Sequence, residues 1–237
     1  MDKQEQKQPE SPEDLLKSIR AFFENFPEEW IPPEDPEHPK VKIMNAAREL
    51  FAQKGFKGAG LREIAAKAEV NQAMINYYFS SKELLYRRVI VAQMYEMFRT
   101  MISYDEDEIN NADFITTLSA RIIDGLRMKP LYAHLFIREI SDGGGTFKKI
   151  IQELGYKGPV GFRQLVLRRY KAGVEEGTLR DLDINVVAMI NITLSYCFIF
   201  VDSFFSQITG ISMQDDEVWK SMRLTMIDIF SHGLLTK

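Results

Sequence analysis

Cysteine is almost missing from this chain. One residue in 237, Cys197, excludes an internal disulfide framework and any multi-cysteine metal centre. Cys197 falls in an apolar run, where a small buried hydrophobe is its expected role. Histidine is nearly as scarce. His38, His134 and His232 stand far apart in sequence, and no nucleophile elbow, dinucleotide fingerprint or P-loop accompanies them. Gly143-Gly144-Gly145 follows a helical pattern and lacks the Gly-Lys-Ser/Thr ending, so it reads as a flexible connection. An enzyme, a cofactor and a metal ion are therefore not expected. MDKQEQKQPE has no apolar signal region, which points to a cytoplasmic protein. A membrane span is not expected either. The longest apolar stretch, VVAMINITLSYCFIFV (186–201), falls short of the ~20 residues that cross a bilayer. It also carries Asn191 and is closed by Asp202, so a helix buried in protein is the expectation.

Proline is rare after residue 39, where only two of the nine remain. The segment 27–39 thus reads as an extended linker, because each proline removes a donor and restricts its predecessor. Before it, Leu15, Ile19, Phe22 and Phe26 recur at helical spacing, behind a cap at Ser11 with Asp14 three residues on. Residues 1–39 are therefore expected to form an acidic, proline-rich arm with one amphipathic helix. Charge follows the same division. Residues 1–39 hold 4 Lys/Arg against 11 Asp/Glu, 40–90 hold 10 against 4, and 91–237 hold 16 against 19. A net charge of −4 thus conceals a basic segment suited to phosphate.

From residue 40 onward the apolar spacing is helical and no strand series appears. Ile43, Ala47, Leu50 and Phe51 make a first face, ended by Gly55. Leu61, Ile64, Ala65 and Ala68 make a second, and VNQAMINYYFSSKE (70–83) carries a third. A fourth helix restarts near 80–82 and runs to about Tyr104. Further helices are expected near 112–128, 130–141, 159–177, 183–209 and 215–235, with Asp183 and Asp215 at N-termini. The expected fold class is all-α: a basic three-helix unit at 40–86, then a larger helical body at 87–237.

Two short helices joined by a tight turn suggest a helix-turn-helix. Val70, Met74, Ile75 and Phe79 supply a buried face for the second of them, which leaves Gln72, Ala73, Asn76 and Tyr77 for a major groove. Amides match the paired donor and acceptor of adenine, and the Ala73 methyl suits thymine. The hydroxyls of Tyr77 and Tyr78 suit phosphate oxygens. Asn71 is a good N-cap. Ser80 and Glu83 fit a capping box for the next helix, whose N-terminus forms an anion site reinforced by Lys82.

IMNAARELFAQKGF (43–56), LREIAAKAEV (61–70) and YYFSSKELL (77–85) together resemble the DNA-binding domain of the TetR family of transcriptional regulators. The resemblance covers about fifty continuous residues. It implies a homodimer on a palindromic operator in double-stranded DNA, with a pocket for a small effector in each body. It places Arg62, Gln72, Ala73, Tyr77, Tyr78 and Lys82 at DNA-contact positions, beside Asn71 and Asn76. Three residues depart from the family's habit: Gly60 stands for a Ser/Thr cap, Glu69 for the turn glycine, and Asn76 for a frequent tyrosine. The function implied is a sequence-specific repressor released by an effector. A helical protein-interaction module without DNA binding is the alternative.

The body is rich in Met, Phe and Tyr, which serve a helical core and a mostly apolar effector pocket alike. Phe98, Met101 and Phe162 are candidate pocket residues, with the polar Arg121, His134 and Arg138. His134 and Arg138 are four apart on one face, which a satisfied structural pair also explains. The last two helices carry more apolar surface than one monomer face needs. Leu194, Phe198, Phe205, Trp219, Met226 and Phe230 are accordingly the expected dimer interface, with intramolecular core as the other destination.

Overall fold

The computed structural model describes residues 32–102, 110–153 and 157–235, and within them all side chains except those of 98–102 and 157–161. The expected N-terminal amphipathic helix lies outside the described residues, as do the side chains of Phe98 and Met101. The described residues form ten helices: α1 Pro39–Gly58, α2 Leu61–Lys67, α3 Gln72–Phe79, α4 Lys82–Ile102, α5 Asn111–Met128, α6 Pro130–Ser141, α7 Gly145–Glu153, α8 Lys157–Glu175, α9 Ile184–Thr209 and α10 Asp216–Leu234. No strand occurs among them. The fold is all-α, as the apolar spacing requires.

Local chemistry sets most boundaries. Pro39 opens α1, and His38 caps it by accepting from the Lys40 N–H. Gly55 breaks α1 at φ 72°, ψ 173°. Asp183 and Asp215 cap α9 and α10 through backbone donors two and three residues on. The cap of α4 differs from the expected capping box. Ser81 Oγ accepts from Leu84 N–H, whereas Ser80 sits at φ 59°. Helix α7 was not foreseen, because the triple glycine looked like a loose connection. It is instead an ordered turn: Gly143 and Gly144 N–H bond back to Ile140 and Glu139 carbonyls. The buried Glu139 carboxylate then accepts from Thr146 and Phe147 N–H at the start of α7, and from the Tyr86 hydroxyl. Burial and that carboxylate raise the Tyr86 phenol well above its ordinary range.

Two apolar clusters organise the chain. One joins α1, α2 and α3 to the first half of α4 around Ile43, Phe51, Ile64, Ile75, Leu85 and Ile90, and includes Leu135 of α6 and Ile150 of α7. The other joins α5, α6, α8, α9 and α10 around Ile123, Leu126, Leu165, Tyr196 and Trp219. The expected division between residues 86 and 87 falls inside α4 and inside the first cluster, which continues to Met94.

The last two helices require three corrections. Trp219, Met226 and Phe230 are buried within the chain's own second cluster and do not face outward. Phe198 is half-buried against it, while Leu194 and Phe205 are exposed. Cys197 is exposed as well, because α9 buries the face of Asn191, Ser195, Tyr196 and Ile199. The expectation of a buried α9 holds for that face alone. With 26 residues and a mean hydropathy of 2.0 over its most apolar window, α9 is long and apolar enough to cross a membrane. Its other face leaves Met189, Ile190, Phe204, Phe205 and Ile208 uncovered.

Candidate nucleic-acid interface and body cavity

Helix α3 turns one face inward and the other outward. Ile75 and Phe79 are buried in the first cluster, with Val70, Met74 and Tyr78 packed against it. Positions 72, 73, 76 and 77 follow the helical repeat on the opposite side. Ala73, Asn76 and Tyr77 are exposed there, Tyr77 at 82%, with Gln72 half-buried beside them. Asn71 caps the helix, its Oδ1 accepting from Ala73 N–H at 2.9 Å. Tyr78 packs edge-on against His38 at 5.7 Å and is half-buried.

The turn before α3 explains one departure noted in the sequence. Val70 N–H bonds to Ala65 O and Glu69 N–H to Ala66 O, which closes α2 with a Schellman motif. That motif needs a left-handed residue at position 69, and Glu69 adopts φ 56°. Arg62 is exposed on the first turn of α2, whose cap Gly60 supplies no side-chain acceptor. Lys82 lies near the start of α4, but its Nζ is 3.5 Å from the Lys57 carbonyl and 4.9 Å from the Phe56 ring centre. It braces the end of α1 as well as adding charge. Lys42, Lys54 and Lys67 pair with Glu37, Glu63 and Glu49. Glu37, by its hydrogen bond and its charge, raises the Lys42 ammonium above its ordinary range.

The body holds a half-open cavity of about 470 Å³ between α4, α5, α6, α8, α9 and the end of α10. Phe162 lines it. Arg121, His134 and Arg138 do not. Arg121 lines a separate water-sized cavity near Glu96 and Tyr132. His134 Nδ1 lies 2.9 Å from the Pro130 carbonyl, and its ring lies near Phe200. Arg138 reaches α1 in the basic three-helix unit, the head of the molecule, donating from Nε to Ala52 O and from a terminal nitrogen to Gln53 O, both at 2.7 Å. Met97 and Phe136, which the sequence left between core and pocket, line the cavity, as do Ser119, Asn191 and Tyr196, which the sequence reading missed as pocket residues. Asn191 had given a signal, as an amide inside an apolar run. Ser119 had given none.

Residues 43–89 match the family described as bacterial regulatory proteins, tetR family. Over that stretch, from α1 into α4, the chain is similar to this family. The chain is 49% identical over 57 residues to "Probable HTH-type transcriptional regulator YttP" of Bacillus subtilis. It is 35% identical over 75 residues to the repressor SCO4008 of Streptomyces coelicolor, and 45% over 51 residues to the regulator RutR of Escherichia coli. These matches cover 24%, 32% and 22% of this chain and span 27%, 38% and 24% of those relatives. The whole fold is shared more widely. The ketosteroid transcriptional regulator KstR2 of Mycobacterium tuberculosis superposes with a TM-score of 0.66 at 15% identity, over 84% of this chain and 95% of its own. A TetR-family regulator from Rhodococcus gives 0.64 at 17%, over 82% and 96%. Beyond residues 43–89 the likeness is thus one of fold, while sequence similarity is concentrated near the matched residues.

Proposed function

We propose that this protein is a TetR-family regulator, a cytoplasmic, homodimeric repressor that leaves a palindromic operator when a small, mostly apolar effector enters its body. The observation carrying this reading is the outward face of α3, with Ala73, Asn76 and Tyr77 exposed over a buried Ile75 and Phe79. A major groove admits such a helix, and amides read the adenine edge. Gln72 and Asn76 are the base readers in this account. Arg62, Asn71, Tyr77, Tyr78 and Lys82 position the head on phosphates, and Ala73 permits close approach.

The uncovered apolar face of α9 supports dimerisation. Leu194, Phe205 and Ile208 lie on it, and contact with a second copy removes them from water. Coupling between cavity and head has two routes. Helix α4 carries Leu85 in the head cluster and Met97 at the cavity. Helix α6 carries Phe136 at the cavity and Arg138 on the carbonyls of α1. An effector that prefers one arrangement of these helices shifts the spacing of two heads away from successive major grooves, ~34–36 Å apart. Selection from random duplexes tests the reading. One palindrome should be enriched, with binding that falls steeply as salt rises. Equal retention of all sequences would refute it.

A further inference from the structure

The cavity has a polar spot deep in an apolar wall. Ile115, Ile122, Phe136, Val166 and Leu167 form much of its lining. Among the described lining residues, the buried polar side chains are Ser119, 2% exposed, and Asn191, 8% exposed. Asn191 donates from Nδ2 to Ser119 Oγ. Ser119 bonds the Ile115 carbonyl of its own helix, and Ser195 Oγ donates to the Asn191 carbonyl at 2.8 Å. An amide offers two donor hydrogens and an acceptor with two lone pairs. The contact to Ser119 uses one hydrogen, and Ser195 Oγ approaches Oδ1 at 3.4 Å. Capacity therefore remains for a ligand oxygen. Tyr196 is less available, since its hydroxyl donates to Met97 Sδ at 3.0 Å.

Charge is handled differently at the cavity's edge. Arg163 is exposed and donates to Asn185 Oδ1 at 2.7 Å. Asn185 in turn donates from backbone and side chain to the Asp183 carboxylate. Those hydrogen bonds hold the Asp183 carboxyl below its usual range. The one described cation at the cavity thus belongs to a chain that ends on an anion. A ligand carboxylate drawn to the Ser119–Asn191 pair would lose water against an amide and a hydroxyl, with no cation among the pair's described partners, which is costly.

We propose that the cavity selects an uncharged, mostly aliphatic molecule bearing one hydroxyl or carbonyl oxygen, which the Ser119–Asn191 pair recognises. This deepens the effector reading and rests on it. Titration calorimetry of the full chain with n-decanol and with decanoate, at neutral pH, provides the test. Decanol should bind about tenfold or more tightly than decanoate. Asn191→Leu should weaken decanol about fivefold to tenfold, the worth of one hydrogen bond, and leave decanoate nearly unchanged. Ser119→Ala, which removes the acceptor that orients the amide, should weaken decanol in the same direction. It serves as the second variant if Asn191→Leu fails to fold. Decanoate binding as tightly as decanol would overturn the proposal. So would binding of neither ligand, or unchanged decanol affinity in folded variants. Operator selection is read separately. A chain that enriches a palindrome yet prefers decanoate keeps its regulator reading and loses this ligand class.

Discussion

At residue scale, position 69 shows how one side chain departs from its turn. Three Schellman-type closures occur in the described chain, with Glu69, Gly143 and Gly177 at the left-handed position. Two use glycine, which reaches positive φ without a steric penalty, whereas an L-residue bears about 1–2 kcal/mol there. Glu69→Gly should therefore stabilise the fold by about 0.5–1 kcal/mol, since greater freedom of the unfolded glycine offsets part of the gain. A raised urea midpoint with unchanged slope would show it; a lowered midpoint would contradict it. Asn76 and Lys82 make a second pair of residue-scale expectations. Asn76→Ala should relax preference at one base pair by about 1–3 kcal/mol, because it removes a proposed base reader. Lys82→Ala should weaken all duplexes about equally and reduce the salt slope by about one. Binding measured on every single-base variant of the selected palindrome distinguishes the two patterns.

At element scale, α6 does more than fill the body. Arg138 holds two carbonyls near the end of α1, a helix terminus where a cation is favoured. Arg138→Ala should cost about 1–2 kcal/mol and loosen the head against the body. Faster amide exchange at the end of α1, with α3 less affected, would be the signature. Equal protection throughout would exclude such a clasp. The contact between α4 and α6 also carries a pH dependence. Burial alone would raise the Glu96 carboxyl, but hydrogen bonds from Lys129 and Tyr132 and nearby positive charge outweigh it, so the group is held below its usual range. Its contribution is present above the unfolded value of about 4.3 and is lost as pH falls through the lower folded value. Glu96→Gln should flatten the acid limb of stability against pH, which thermal melts between neutral and acid conditions would measure.

At the scale of the molecule, the last two helices separate core from interface. Phe205 is exposed on α9, whereas Phe230 of α10 is buried in the second cluster. Phe205→Glu should therefore give a folded monomer in sedimentation, because it places a charge in the proposed dimer contact. Phe230→Ala should instead cost about 3–5 kcal/mol through lost burial and a cavity. A Phe205→Glu protein that stays dimeric would remove α9 from the interface. Both residues recur at helical spacing in an apolar segment, so periodicity alone could not tell them apart.

The sequence determined the elements whose signals are local. Proline, glycine, Asn71, Asp183 and Asp215 place helix ends because a cap acts on donors two or three residues away. Apolar spacing also indicated which face of α3 turns inward, since 75 and 79 lie one helical turn apart. The tertiary structure decided everything that depends on which helix meets which. It sent Arg138 to the head and not to the cavity, buried Trp219 inside the chain and left Cys197 outside. It also made a turn from three glycines by giving Glu139 partners on two other helices. Contacts between residues dozens of positions apart depend on packing geometry, and a helical repeat records only that a face is apolar, not what covers it.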